Sequence, residues 1–554
     1  MSLSGILDMG RRALELAQMR VQTTAHNISN ADTESYSRQT VLSTTTRPQL
    51  VQGGLLGTGV KPDTIERITS RFLENQLLAE RQVKGQLDLQ STASSHIEEV
   101  FSESQVGGLS EAMSTFFAAW QDLATNPEGV AERQVLVSQA SSLTRQFGLY
   151  AQGLQRVGSD MHADLDASVA KINEITRRVA DTNKSIAAAE AGGQAANDLR
   201  DNRDRLLNEL ADLTEFNVID NGSVSDFTVQ VRGQTLVQGV RQLAIDVVDD
   251  SNGLPSLAIE QGSAWRDFFD LPTLGRVGGA LSVLRESLPA AQQGLNEVAV
   301  ALAANVNALH RQGYALDGTT GLNFFVSPMQ GTPDQGNTGG AAVSMLEVVD
   351  GSSFTGHRYE VSFAAADSYQ VTDVNTGAVV VPATPGNYVS GSPISFDGLN
   401  VTISDGSGPP AAGDLFVVEP DSNYFSSIAV DPALTSNPQQ VAAALSQTGL
   451  PGDNENALRI ASLQKASIMS GGTGTLLDSL SSLVSQAGID ASRAKVGLER
   501  QSLVVDQVVA QREAVSGVSI DEEAANLVEF QRSYQAAAKV IATVDQMFQT
   551  LLNT

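Results

Sequence analysis

Apolar residues near the start of the chain recur at three- and four-residue steps: Leu3, Leu7, Leu14, Ala17, Val21, Thr24 and Ile28. That spacing puts them on one narrow stripe and predicts a helix that needs a partner. The end of the chain repeats the pattern at Ile520, Leu527, Phe530, Tyr534, Ala537, Ile541, Val544, Phe548 and Leu551, so the two termini are expected to pair as a coiled coil. The second helix has a legible start. Gly517 breaks the chain, Ser519 stands at the N-cap with Glu522 at capping-box spacing, and Asp521, Glu522 and Glu523 place negative charge in the first turn. These carboxylates read as a solvated acidic face.

Between the termini the pattern predicts helices from Ile65 to about Val100 and from Leu109 to Leu123. A very long helix follows from Ala131 to about Ala191, with Met161, Leu165, Val169, Ile172, Val179 and Ile186 on its stripe and Gly192-Gly193 at its end. Another starts at Asn197, in NDLRDNRDRLLNEL. From Phe216 the period changes to two around Asn221-Gly222, which predicts short strands. Helix returns from about Val277 to Leu309. Ala341 to Pro420 is β-rich with Asn/Asp/Gly turns, and helix resumes near Pro438, continuing past Ser470 to Gly474 as far as Ala514.

The expected fold is mainly α with inserted β, an elongated multidomain protein. Its parts are a terminal coiled-coil domain (1–35 with 515–554), a mostly helical bundle domain (36–330 with 435–514, including a β subregion at about 216–262) and an inserted outer β domain (331–434). A length of 554 residues agrees with several units.

Charge narrows the function classes. Lys and Arg number 35 against 63 Asp and Glu, a net charge of -28 that repels nucleic-acid phosphates and anionic membrane surfaces. Cysteine is absent, which removes disulfides and thiolate metal sites. The N-terminus lacks the apolar region of a cleaved signal, and no run approaches the roughly 18 apolar residues of a membrane span.

Candidate chemistry is sparse. His26, His96, His162, His310 and His357 are scattered, without an HExxH pair or a carboxylate cluster. GGLLGTGV, from Gly53 to Val60, lacks the order of a phosphate loop and reads as a turn entering a strand. Ser462 and Lys465 match a Ser-x-x-Lys spacing without its companion motifs. No cofactor or metal is expected. The polar stretch NISNADTESYSRQT is more informative, because Asn27, Ser29, Asn30 and Asp32 can bond freed backbone groups and favour a turn where the first helix stops.

These same stretches carry a resemblance. TTAHNISNADTESYSRQTV near the start, together with SGVSIDEEAANLVEFQRSYQAAAKVIATVDQMFQTLLN at the end, resembles the axial proteins of the bacterial flagellum, the rod, hook and hook-associated proteins. Asn27, Ser29 and Asn30 with Tyr36, Ser37, Arg38 and Gln39 are similar to the signature of the hook-associated members. RGQTLVQG and ALHRQGYALDG resemble internal motifs of the same group. Family members commonly carry Pro-Gly before the Tyr, where this chain has Glu34-Ser35.

The resemblance implies a non-enzymatic structural subunit, secreted by the flagellar type III export apparatus and placed at the hook-filament junction as a ring of subunits. It implies the hook protein and the next hook-associated junction protein as neighbours. It also implies an export chaperone on the C-terminal helix at Leu527, Phe530, Tyr534, Ile541, Val544, Phe548 and Leu551, and an N-terminal seam at Leu3, Leu7, Leu14, Val21 and Ile28. The hook subunit, which shares both terminal helices, stays open as an alternative, as does a surface adhesin on a helical stalk.

Overall fold

The computed structural model describes residues 3–51, 54–102, 108–268, 270–351, 353–469 and 472–552; at 51, 551 and 552 it describes the backbone alone. Helix α1 (Leu3–Ser29) leads through a turn into a long hairpin, β1 (Gln39–Thr45), β2 (Gln49–Val51), β3 (Gly54–Leu56) and β4 (Val60–Arg67). Helices α2 (Arg71–Phe101), α3 (Leu109–Thr125), α4 (Val130–Glu190) and α5 (Asn197–Leu213) follow. Strands β5 (Asn217–Ile219), β6 (Thr228–Val231), β7 (Gln234–Gln238) and β8 (Arg241–Gln242) form one antiparallel meander. A second meander comprises β9 (Ile245–Asp249), β10 (Pro255–Gln261) and β11 (Ala264–Asp267).

Helix α6 (Gly275–Ser282) passes through a π-helical turn at Val283–Ser287 into α7 (Leu288–Gln312). The β-rich stretch holds β12 (Met329–Pro333), β13 (Ala342–Val348), β14 (Tyr359–Ala365), β15 (Ser368–Asp373), β16 (Val379–Val381), β17 (Pro393–Phe396), β18 (Leu399–Ser404) and β19 (Leu415–Pro420). Short helices α8 (Tyr424–Ser427), α9 (Pro432–Ser436) and α10 (Glu455–Ser462) precede the long α11 (Leu476–Ser516) and α12 (Ile520–Leu552).

The chain divides into two compact units. The first comprises Met1–Thr92, Met161–Arg285 and Arg493–Thr554. Its core takes the whole predicted stripe of α4, since Met161, Leu165, Val169, Ile172, Val179 and Ile186 are all buried. Leu77 of α2 packs with Val505 and Val508 of α11.

The second unit comprises Ala93–Asp160 and Glu286–Ser492. Phe116 and Trp120 of α3 meet Phe324, Phe325 and His310 in an aromatic cluster. Burial pushes His310 down to about 4, with the Leu322 carbonyl and Asp431 opposing the shift and Arg133 and Arg311 adding to it. Its neutral ring bonds the Leu322 carbonyl at 2.7 Å through Nδ1 and accepts from the Ala442 amide at 2.9 Å through Nε2. Asn307 accepts from the Phe324 and Phe325 amides and donates to the Phe325 carbonyl. Two neutral side chains of α7 thus satisfy the backbone of irregular segments that would otherwise be buried unpaired.

The inserted β segment is two packed sheets, ordered β12-β19-β14-β15-β16 and β13-β18-β17. Alternate residues of β14, β18 and β19 face inward, including Val361, Phe363, Val401, Ile403, Phe416 and Val418. Met329 lies opposite Pro420, so the chain enters and leaves the insertion on adjacent strands.

Two expectations need correction. The helix expected from Ile65 begins at Arg71, because the preceding residues pair with β1, Gln39 opposite Arg67 and Val41 opposite Ile65. A ladder partner outweighs the local periodicity. The helix expected from Pro438 is a single 3-10 turn at Pro438–Gln440 followed by an irregular segment. There Asp453 accepts from the amides of Leu445, Ser446 and Glu455, a local alternative to helix. Gly53, Ser470 and Gly471, which belong to two of the segments read above, lie outside the described residues.

A candidate assembly site at the terminal helices

Helices α1 and α12 run antiparallel. Asn27 meets Glu523, Arg20 lies over the Phe530 ring at 5.3 Å, and Gly10 meets Ile541, so residues advance along one helix as they recede along the other. A Cβ at Gly10 would stand 3.0 Å from Ile541 Cγ1, which shows how closely the backbones approach. The buried face of α1 is Gly10, Leu16, Ala17, Thr23, Thr24 and Asn27, mostly small or polar. On α12 the buried residues are Glu523, Ala537 and Val544 among the described side chains.

Where the helices reach the body, Asn27 is a hub. Its amide nitrogen donates to the Gln39 carbonyl at 2.9 Å and to Glu523 Oε2 at 3.1 Å. Its oxygen accepts from the Tyr36 hydroxyl at 2.8 Å and the Gln39 amide at 3.0 Å. One buried side chain therefore ties the first helix, the returning chain and the last helix together, with both ends of its amide engaged.

The returning chain turns at Thr33 to Tyr36, where the Tyr36 amide donates to the Thr33 carbonyl at 3.2 Å. Glu34 and Ser35 occupy the two central positions, and Ser35 has a φ of 62°, the left-handed backbone that a type II turn requires at its second central residue. Glycine adopts that conformation without strain; serine does not. The turn is held from outside: the Ser35 carbonyl accepts from Arg512 Nη2 at 3.2 Å, and Arg512 Nε donates to Glu74 at 2.8 Å.

Beyond the turn, the Arg38 amide donates to the Ser516 carbonyl at 2.8 Å, so the two chain crossings lie side by side. Arg38 Nη1 bonds Glu522 at 3.0 Å. Helix α5 anchors the rest, with Gln39 Nε2 donating to Asp198 at 2.8 Å and the Ser37 amide to Asp201 at 3.3 Å. Arg67 bridges Asp201 and Asp204, each at 2.7 Å.

The electrostatics follow from burial. Desolvation, with Asp198, Asp201 and Glu523 nearby, holds the Tyr36 hydroxyl far above its ordinary value, so it stays a proton donor to Asn27. Desolvation alone would lower the Arg67 guanidinium, yet Asp204 and Asp201 carry it above its usual range. Burial holds Asp201 and Glu74 above the ordinary carboxylate range, against the pull of Arg67 and Arg512 respectively. The arrangement fixes geometry. Among the described residues no group of three His, Asp or Glu is placed to hold a metal, and Ser462 donates its hydroxyl to the Arg459 carbonyl of its own helix.

Comparison with known proteins places this geometry. Residues 94–325 match the model of the flagellar hook-associated protein FlgK helical domain. Residues 332–420 match that of the D2-like domain of flagellar hook-associated protein 1, and residues 510–554 that of the flagellar basal body rod FlgEFG protein C-terminal region. Flagellar hook-associated protein 1 of Escherichia coli strain K12 is 30% identical over 566 residues, covering 100% of both chains. The chain belongs to the flagellar hook-associated protein 1 family. The Bacillus subtilis member is 25% identical over 99% of this chain and 97% of its own. The crystal structure of the flagellar hook junction protein FlgK from Burkholderia pseudomallei shares the fold, with a TM-score of 0.60 at 22% identity over 80% of this chain and all of that one.

Among the residues singled out in this family member's sequence, Asn27, Tyr36, Ser37 and Gln39 come together buried at the joint, and Arg38 is half-buried beside them. Asn30 bonds the His26 carbonyl, and Ser29 bonds the Ala25 carbonyl at the exposed end of α1. The N-terminal seam is displaced. Leu7 is 37% exposed, and Leu3, Leu14, Val21 and Ile28 are half-buried at the flanks. Close approach at Gly10 puts the small residues Gly10, Ala17 and Thr24 at the centre instead.

On α12, Val544 is buried, while Leu527, Phe530, Ile541 and Phe548 are half-buried and Tyr534 is 39% exposed. The Leu551 side chain lies outside the described residues. The acidic first turn is not uniformly solvated either, since Glu523 is buried against Asn27. Asp198, Asp201, Arg67 and Arg512 were not legible as part of the joint, although the i,i+3 spacing of Asp198 and Asp201 does put two carboxylates on one helix face.

Proposed function

We propose that this chain is a non-enzymatic structural subunit of the bacterial flagellum that joins hook to filament and assembles through its terminal helices. The likeness to flagellar hook-associated protein 1 over the whole chain carries this reading. The thin, partly open pairing of α1 with α12 supports it physically. So narrow a buried stripe offsets little chain entropy, and in the free monomer these helices are only partly ordered until neighbouring subunits supply the other wall. Within this reading, 1–35 with 515–554 forms the axial domain, 36–330 with 435–514 the helical body, and 331–434 the outer β domain.

The partners are further copies in a ring, the hook protein on one side and the next hook-associated junction protein on the other. An export chaperone covers α12 at Leu527, Phe530, Tyr534, Ile541 and Phe548, and the type III apparatus carries the chain outside the cell to the hook-filament junction. The seam residues Leu3, Leu7, Leu14, Val21 and Ile28 and the α12 residues Val544 and Leu551 pack between subunits.

Deletion of the gene is expected to give cells with hooks but no filaments and flagellin free in the medium; electron micrographs showing normal filaments would end the reading. Limited trypsin digestion of the purified monomer is expected to strip both termini and leave a core from about residue 40 to about residue 510.

A further inference from the structure

The hairpin after α1 carries a feature the body does not use. Its neck is clasped where Thr46 bonds the Gly59 carbonyl and the Thr58 hydroxyl, and it rests on α1, since a Cβ at Gly59 would come within 2.6 Å of Met9 Cγ. Past the neck, Leu50 stands directly opposite Leu55 on β2 and β3, and the two are 82% and 70% exposed. A cross-strand leucine pair on a bare two-stranded tip is an apolar knob.

The same unit holds an unfilled groove of about 430 Å³ along the α1–α12 pair, lined by Ile6, Ala536, Val540, Thr543, Val544 and Met547 and almost wholly apolar. Val540 and Met547 are 43% and 50% exposed there. Knob and groove lie bare in the single chain, so neither covers the other within it.

We infer that the Leu50–Leu55 knob of one copy seats in the Ile6–Met547 groove of the next copy, which rests on the reading of this chain as a ring-forming subunit. Two observations select a second copy as the occupant. The groove is continuous with the established α1–α12 interface, because Val544 belongs to both. The charge is complementary: from Gln39 to Pro62 the hairpin carries Arg47 and Lys61 and no carboxylate, in a chain of net charge -28. The groove is flanked by the exposed carboxylate of Asp545. Knob and groove are different patches, so the contact is head-to-tail, and repeating it closes a ring or extends a helix.

The chain has no cysteine, which permits a clean test. Cells lacking the native gene co-express two full-length copies, Leu50→Cys and Met547→Cys, and isolated flagella are oxidised. A disulfide-linked pair of copies, present only on co-expression, is the expected result. Filaments attached through both copies with no such species would overturn the knob-in-groove contact and leave the ring reading standing, whereas absence of the chain from flagella would remove the ring reading itself. Leu50→Ser/Leu55→Ser changes two exposed positions and should leave the circular dichroism of the monomer unchanged. It is expected to weaken the contact roughly a hundredfold and yield hooks without filaments. Normal filament number in that variant would overturn the proposal.

Discussion

The inserted β sheets and the terminal helix pair close themselves in opposite ways. The sheets bury Val361, Val371, Val401, Phe416 and Val418 completely and finish their own core. Helix α12, at 33 residues, buries two apolar side chains, Ala537 and Val544, among those described. Its register against α1 comes instead from polar groups, Asn27 to Glu523 at the joint and Arg20 over Phe530 further along. A module that stands alone is held by dispersion and desolvation. An end that is to be completed by neighbours is held by directional bonds, which fix geometry without using up the apolar surface.

The contrast is most sharply tested in the sheets. Phe416→Ala is expected to destabilise the β insertion by about 4 kcal/mol, read by thermal unfolding, with hydrogen exchange in α12 unchanged. Loss of α12 protection in that variant would couple two regions described here as independent.

Asn27→Ala attacks the other side of the comparison. It leaves the Tyr36 hydroxyl and the Gln39 amide buried without their acceptor, a cost of about 3 kcal/mol confined to the joint. Faster amide exchange at 27–39, with the unfolding of the β insertion unmoved, is the expected signature.

Acid separates the regions by sign. His310 is depressed to about 4 from an ordinary 6.5, so the unfolded chain binds its proton first and stability is lost as pH falls from 6.5 to about 4. The loss approaches roughly 3 kcal/mol in the second unit. Asp201 and Glu74 at the joint are raised, and their own titration adds stability as pH falls toward the ordinary carboxylate range. His310→Gln should flatten the acid limb of the second unit's denaturation curve, and an unchanged limb would reassign the effect. The smallest effect is at the turn. Ser35→Gly relieves a left-handed serine at the cost of added chain entropy, for a net gain of about 0.5 kcal/mol in urea midpoint terms.

Much of the architecture was readable because long helices repeat their signal over many turns. The α4 stripe from Met161 to Ile186 and the Ser519 start of α12, where the Glu522 amide reaches the Ser519 hydroxyl, are local facts written in local sequence. Strand β4 was not readable, since Ile65 and Ile68 fit a helical step as well as a strand and only β1, far back in the chain, decides between them. The joint was half readable. Tyr36 to Gln39 stood out by resemblance, but the use of Asn27 depends on Glu523 at the far end of the chain, and no spacing within either segment encodes that meeting. The seam was displaced by a single glycine, because Gly10 contributes nothing to an apolar pattern yet sets how closely two helices approach.

The pairing of Met329 with Pro420 has an evolutionary reading. Entry and exit strands one ladder spacing apart, about 5 Å, make everything from β13 to β18 a cassette. Its length, charge and surface can be rewritten, or the whole replaced by another module with adjacent ends, while the span required of α7 and α8 stays the same. Selection from outside the cell can act on such a cassette without disturbing the inward-facing parts, and a laboratory can use the same splice points to display a foreign domain.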